Sequence, residues 1–311
     1  MAHGHEQHDG NDYGHGHGHG HGHGHGHSHG DTHIDFAEML PMLEQEAELF
    51  GPLYTQAASW LREMRPDPEL IVDAGSGPGV ISCLLADIFP GARVVAVDGE
   101  EPLLERARER AARRGIADRF GTLRAELGDG LGDLEYPADL LWASRSLHHV
   151  GDQRGALAGF ADRLAPGGTL ALLEGGLPSR YLPRDFGIGR PGLQARMDAI
   201  EQEWFARMRA ELPGAVVEDV EDWPALLSAV GLRHTATRTF LLDLPAPVSD
   251  EARAFVATSL GHRRDGLAEG LDADDRATLD RLLDPEDKAS VHHRPDVFVL
   301  TALTVYVGVK P

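Results

Sequence analysis

The stretch Leu70-Ile71-Val72-Asp73-Ala74-Gly75-Ser76-Gly77-Pro78-Gly79 constrains the fold more than any other part of the chain. An apolar run that closes on a carboxylate and then on three alternating glycines reads as a strand feeding a tight turn. The missing side chains let the backbone come close to a ligand. A second apolar run, Arg93-Val94-Val95-Ala96-Val97-Asp98, follows one helix length later and again ends in an acid. Strand, glycine turn, helix and acid-tipped strand make the opening unit of a doubly wound α/β sheet, in which the second acid is presented to sugar hydroxyls.

The glycine spacing narrows the ligand. A dinucleotide turn wants glycine or alanine three residues after its second glycine, and Val80 stands there instead. This disfavours a hydride-transferring oxidoreductase, and no Gly-Lys-Ser or Gly-Lys-Thr exists to form a nucleoside-triphosphate loop. What remains is Asp-x-Gly-x-Gly-x-Gly from Asp73 to Gly79. Further along, 121–127 reads as a third strand ending at Glu126, and 138–144 as a fourth. Ser146-Leu147-His148-His149-Val150 then leads to Leu164-Ala165-Pro166-Gly167-Gly168-Thr169-Leu170-Ala171-Leu172-Leu173-Glu174, a helix end, Pro-Gly-Gly turn and fifth strand. In these ordered landmarks the chain resembles the class I S-adenosylmethionine-dependent methyltransferases of small-molecule type.

That resemblance implies an α/β, Rossmann-like, seven-stranded sheet with helices in front of it and a helical insertion before the last strand. It implies S-adenosyl-L-methionine as cofactor, with Asp73, Gly75, Ser76, Gly77 and Gly79 at its methionine end and Asp98 and Gly99 at the ribose. Glu126 and Leu127 border the adenine, with Asp129 the rival acid, and Ala143 and Ser144 at the end of the fourth strand are further cofactor-binding residues. His148 and His149 sit just past that strand and are the candidate catalytic bases. The alternative for at least one of them is a structural bond to a backbone carbonyl. Arg145 either steers an anionic substrate group or pairs with a nearby acid.

The organisation divides into a His/Gly-rich tail (1–33), a helical segment (34–66) and a methyltransferase domain (67–311). In 34–66, Tyr54 either reaches the cofactor or only packs. The region 175–192 reads as a loop at the carboxyl edge of the sheet, where ligands of such folds bind. Helices are expected at 193–212, 223–230, 250–260 behind a Ser249 cap, and 272–283, with strands at 233–244 and 297–309. The insertion at about 249–290 reads as a lid over a substrate pocket or as a pad burying sheet surface. His292 and His293 are expected at the surface.

Composition excludes several classes. With 50 acidic residues against 29 Lys and Arg, the formal charge is −21, which repels a phosphate backbone and argues against a nucleic-acid substrate. The arginines between 106 and 119 are interrupted by Glu105 and Glu109 and read as a solvated helix face. No apolar run approaches a membrane span and no leader is visible, so a cytoplasmic protein is expected, acting on a small molecule. The residues say nothing of oligomeric state. The one cysteine, Cys83, is read as a buried helical thiol.

Residues 1–33 hold 12 of the 18 histidines, and His15, His17, His19, His21, His23, His25, His27 and His29 alternate with small residues. Such a string has no apolar face to bury and is expected to be disordered, yet its imidazoles suit nickel or zinc. Binding is expected to fade below about pH 6 as imidazoles protonate. An engineered tag or a neutral expansion are the other readings of the tail. A metal-binding or regulatory protein that keeps the fold without turnover is the competing functional class.

Overall fold

The computed structural model describes residues 39–129, 131–212, 214 and 220–311. The histidine-rich tail and the candidate metal ligands His15 to His29 lie outside the described residues.

The chain enters through α1 (Leu40–Leu49) and α2 (Gly51–Met64). It then alternates β1 (Leu70–Ala74), α3 (Val80–Ile88), β2 (Arg93–Asp98), α4 (Glu101–Arg113), β3 (Phe120–Arg124) and β4 (Ala138–Ser144). A 3-10 turn, Leu147–His149, leads into α5 (Gln153–Arg163), β5 (Leu164–Leu173) and the short β6 (Leu177–Arg180). After α6 (Leu193–Glu211) and α7 (Trp223–Ala229), β7 (Arg233–Leu244) and β8 (Val299–Val309) flank an insertion of α8 (Asp250–Gly266) and α9 (Ala273–Leu283).

β1 to β5 run parallel in the order β3-β2-β1-β4-β5, so the carboxyl ends of β1, β2 and β4 reach one edge of the sheet. β8 returns antiparallel beside β5, and β7 pairs along its whole outer side. Both faces of β1, β2 and β4 are buried, which explains why these strands read as continuous apolar runs rather than alternating ones. Ile71, Leu140, Trp142 and Leu173 join a core with α2, α3, α8 and α9, while Val72, Leu141, Ala143 and Leu172 join a second core with α5 and α7.

Eight strands form this sheet where the pattern predicts seven. The extra one, β6, lies in the 175–192 region expected to be loop, and it continues along β8 on the side that β5 occupies. Gly176 makes the jog between them: its φ is +112°, and a methyl group there would sit 2.0 Å from the Ala302 carbonyl oxygen. β3 ends at Arg124 rather than at Glu126, leaving Glu126 just ahead of a 3-10 turn, Leu127–Asp129. Ser249 and Asp272 cap α8 and α9 through the amides of Ala252 and Asp275, and α8 runs six residues past its expected end. Phe255 of α8 packs edge-on against Phe50 and Tyr181, so the insertion buries apolar surface against the helices in front of the sheet.

Candidate active site

β1 stops at Ala74 because the amides of Gly75 and Ser76 both turn onto the Val97 carbonyl, at 2.8 and 2.9 Å. Gly75, Gly77 and Gly79 all take left-handed φ values, +77°, +52° and +74°. Their surroundings differ. A methyl at Gly75 would lie 2.5 Å from the Ser146 Cβ, and one at Gly79 would lie 2.5 Å from the Ala107 Cβ on α4. One at Gly77 would meet nothing within 4 Å. Two of the glycines are therefore required by the protein's own packing, and the third faces open space.

Two carboxylates hold this turn. Asp98 accepts the amides of Gly77 and Glu100, at 2.9 and 3.0 Å. Burial raises its carboxyl above the ordinary range, opposed by those two amides. Asp73 is 1% exposed and accepts the Ser82 hydroxyl at 2.5 Å. Burial pushes its carboxyl up to about 7, with Ser82 opposing and Asp98 adding to the rise. Glu126 lies over Gly99, where a methyl group would meet its Oε1 at 2.7 Å, so Asp98 and Glu126 are brought to one rim. Leu127 approaches Gly75, Ala143 pairs in register with Ala74, and the Ser76 amide is one of the two turned onto Val97. The buried Ser144 hydroxyl lies beside the Tyr54 phenol without reaching hydrogen-bonding geometry.

The other wall is made of side chains from distant parts of the chain. Arg145, directly after β4, has a left-handed φ of +52°, a strained conformation for a residue with a side chain. Its guanidinium pairs with Glu46 of α1 at 2.7 Å, and that carboxylate strengthens its hold on the proton. Tyr54 of α2 is buried next to this pair, and burial raises its phenol. The next residues wrap around Glu174, which closes β5. Its Oε1 accepts the amides of Ser146 and Leu147 at 3.0 and 2.9 Å, and its Oε2 lies 2.9 Å from the His148 Nδ1. The His148 and His149 rings are 4.0 Å apart, and Phe205 of α6 lies 5.5 Å from the His148 ring. Arg209 of α6 donates to the His148 and Val150 carbonyls. Burial first, then the His148, Arg145 and Arg209 charges, hold the His149 imidazole down at about 3.

The sequence-predicted donor residues thus fall on the rim from β1 to β4, and His148 and His149 on the adjoining turn. Of the two roles left open for Arg145, the structure shows the pairing one, with Glu46. Tyr54 is packed, buried beside Arg145 and Ser144. His292 and His293 are exposed, and His293 bonds the Pro285 carbonyl. Sequence reasoning missed Glu174, Glu46, Phe205 and Arg209. Glu174 carries the signal that found Asp73 and Asp98, a carboxylate closing a buried strand. Among the described residues no cluster of three or more His, Cys, Asp or Glu could hold a metal, and no helix is long and apolar enough to cross a membrane.

Comparison with known proteins agrees with this geometry. A family profile described as a methyltransferase domain matches residues 72–170. A trans-aconitate 2-methyltransferase of Streptomyces avermitilis is 34% identical over 233 residues, covering 70% of this chain and 83% of the relative. Its counterpart in Streptomyces coelicolor is 35% identical over 140 residues, 44% of this chain and 46% of the relative. A tRNA 5-carboxymethoxyuridine methyltransferase of Escherichia coli is 31% identical over 113 residues, 36% of this chain and 42% of the relative. The chain spans under half the length of several of the curated relatives it matches. Among solved structures, a chain of the complex between the Haloferax volcanii Trm112 methyltransferase activator and a methyltransferase superposes with a TM-score of 0.50. That match has 16% identity and covers 90% of this chain and all of the other. The chain belongs to the S-adenosylmethionine-dependent methyltransferases.

Proposed function

We propose that this protein transfers a methyl group from S-adenosylmethionine to a small organic acceptor. The observation that carries the reading is Gly77: it is the one glycine of the turn whose left-handed backbone faces open space, and its amide is held by Asp98. A side-chain-free amide beside an acid-tipped strand suits an adenosyl ligand with an amino-acid tail. When bound, the cofactor supplies a methyl group on a positively charged sulfur. Asp98 would hold the ribose hydroxyls through the lone pairs its two amide bonds leave unused, and Glu126 and Leu127 would border the adenine. Asp73 braces the turn from beneath through Ser82. Helices α1, α2 and α6 would exclude water from the acceptor, which favours displacement at a cationic centre. The insertion of α8 and α9 would shape the acceptor pocket from outside.

The acceptor is read as a small molecule because a chain of charge −21 repels polyanions, although one relative carries tRNA in its name. Calorimetric titration with S-adenosylhomocysteine tests the donor site. Asp98→Ala should weaken binding by about 1–3 kcal/mol, the scale of lost charge-assisted hydrogen bonds, or roughly 5- to 150-fold. Unchanged affinity would remove Asp98 from the site.

The histidine-rich tail is proposed to bind nickel or zinc through His15 to His29, in support of the domain rather than in catalysis. Equilibrium dialysis of the full chain and of a chain lacking residues 1–33 checks this. Equal metal uptake by both would reject it.

A further inference from the structure

Glu174 is 3% exposed and spends both oxygens on the turn that carries the two histidines. Two backbone amides donate to its Oε1. A carboxylate only accepts, so the 2.9 Å contact with Oε2 requires the His148 Nδ1 to carry the proton. The lone pair of the ring is then on Nε2, which meets no hydrogen-bond partner among the described residues. His148 keeps 22% of its side chain accessible, so the ring is held without being sealed. Two residues earlier in the chain, Ser146 abuts Gly75 and donates its hydroxyl to the Ala74 carbonyl, which ties the His148 turn to the glycine turn. His149 lies against the His148 ring and is neutral at ordinary pH, so no second imidazolium opposes a charge on His148.

Resting on the methyl-transfer reading above, we propose that Glu174 is a positioning residue that fixes His148 as the Nδ1–H tautomer, so that Nε2 takes the proton of an acceptor hydroxyl. The acceptor oxygen forms its bond to the methyl carbon and its proton passes to Nε2. The carbon–sulfur electron pair stays on sulfur as a neutral thioether. The imidazolium left behind is paired with Glu174 and returns its proton to water as product leaves. The acceptor class is an alcohol or phenol. A carboxylic acid, with an ordinary pKa near 4, has no proton left to give at neutral pH and needs no such base.

Glu174→Gln separates this role from a purely structural one. The amide oxygen can still accept the Ser146 and Leu147 amides, but its NH2 group donates to the His148 Nδ1 and drives the ring proton to Nε2. The experiment uses the full chain, 15N-labelled, with the His148 ring signals assigned by difference from His148→Gln. The imidazole nitrogen shifts should report Nδ1–H in the wild type and Nε2–H in Glu174→Gln. S-adenosylhomocysteine affinity should stay within about twofold for both variants. With labelled S-adenosylmethionine and a panel of phenols, alcohols and carboxylic acids, methylation should fall on a hydroxyl. Its kcat should drop by about 100-fold or more in Glu174→Gln and in His148→Gln, the usual scale of a lost base. An Nε2–H tautomer in the wild type overturns the proposal, as does an unchanged kcat in Glu174→Gln or methylation confined to carboxylic acids. A wild type that fails to bind S-adenosylhomocysteine defeats the methyltransferase reading instead, and calorimetry alone reveals that.

Discussion

Around residues 75–79 the site is shaped by backbone: amides folded onto Val97, left-handed glycines, and a carboxylate accepting the Gly77 amide. Around residues 144–149 it is shaped by side chains that arrive from α1, α2, β5 and α6. The partners on the first side are neighbouring strands of one βαβ unit, whereas Glu46 is 99 residues from Arg145 and Phe205 is 57 from His148 by their positions in the chain. Backbone geometry tolerates almost no substitution. Side-chain pairs can be exchanged as long as charge and reach are kept. On the proposed methyl-transfer reading the first region is the donor side and the second the acceptor side, and the first admits far fewer substitutions.

Glycine substitutions should break the donor side hardest, and unequally. Gly79→Ala forces a methyl to 2.5 Å from the Ala107 Cβ and 2.8 Å from its Cα while keeping a left-handed φ. Backbone strain plus overpacking should cost about 2–4 kcal/mol of stability in chemical denaturation. Gly77→Ala keeps the strain without the clash and should cost about 1–2 kcal/mol. Its larger effect should be on S-adenosylhomocysteine affinity, lowered at least tenfold. Equal stability losses at the two positions would mean that Gly77 is packed as tightly as Gly79, and normal binding by Gly77→Ala would mean that the open space is not the cradle.

The pH dependence of stability sets one buried group from each side against the other. Asp73, raised to about 7, keeps its proton in the folded state over a range where the unfolded chain, with an ordinary carboxylate near 3.8, has lost it. Its term makes stability fall as pH rises between those values. His149, held down at about 3, stays neutral when folded while the unfolded imidazole gains a proton below about 6.5. Its term makes stability fall as pH drops through the same window. Each amounts to about 1.4 kcal/mol per pH unit for one whole proton, with opposite sign, so the two should largely cancel between about pH 4 and 6.5. His149→Gln should expose a downward slope with rising pH, and Asp73→Asn an upward one. Denaturation midpoints measured across that window check both, and parallel slopes in the two variants would show that the groups are not the opposed pair described here.

The same contrast decides what could be read from residues alone. Asp73, Asp98, the glycines and the strands from β1 to β4 were legible because the turn's chemistry lies within one strand-helix-strand unit and β1, β2 and β4 are buried on both faces. β6 was not, since four residues reading Leu-Pro-Ser-Arg at 177–180 have no strand pattern and their strand pairing is with β8, distant in the chain. The role of Glu174 escaped because its partners come from another strand's turn. Glu46 escaped because an acid on an amphipathic helix looks like any solvated acid. Of the candidate catalytic pair, the sequence could not separate His148 from His149; the pairing of His148 with Glu174 and the lowered His149 imidazole tell them apart.

The smallest effects should come from α1, and they test whether the acceptor side is closed by charge. No residue of α1 is buried, whereas α2 buries Leu53, Tyr54, Ala57, Ala58 and Leu61. α1 is tied down by Glu44 bridging Arg106 and Arg110, by Glu48 on Arg110, and by Glu46 on Arg145. Arg106 and Arg110 bring the Glu44 carboxyl below its ordinary value despite its burial. Partly exposed pairs of this kind contribute roughly 0.2–1 kcal/mol each and are screened by salt, so global stability should hardly register their loss. Local opening should register it. Hydrogen exchange read by mass spectrometry should show the amides of α1 exchanging faster in about 1 M salt while those of α2 hold their protection. Glu44→Gln should reproduce the effect at low salt more strongly than Glu46→Gln, because Glu44 engages two guanidinium groups and Glu46 one. If salt loosens α1 and α2 together, the front helices open as one apolar unit and the ion pairs are not what closes this side of the site.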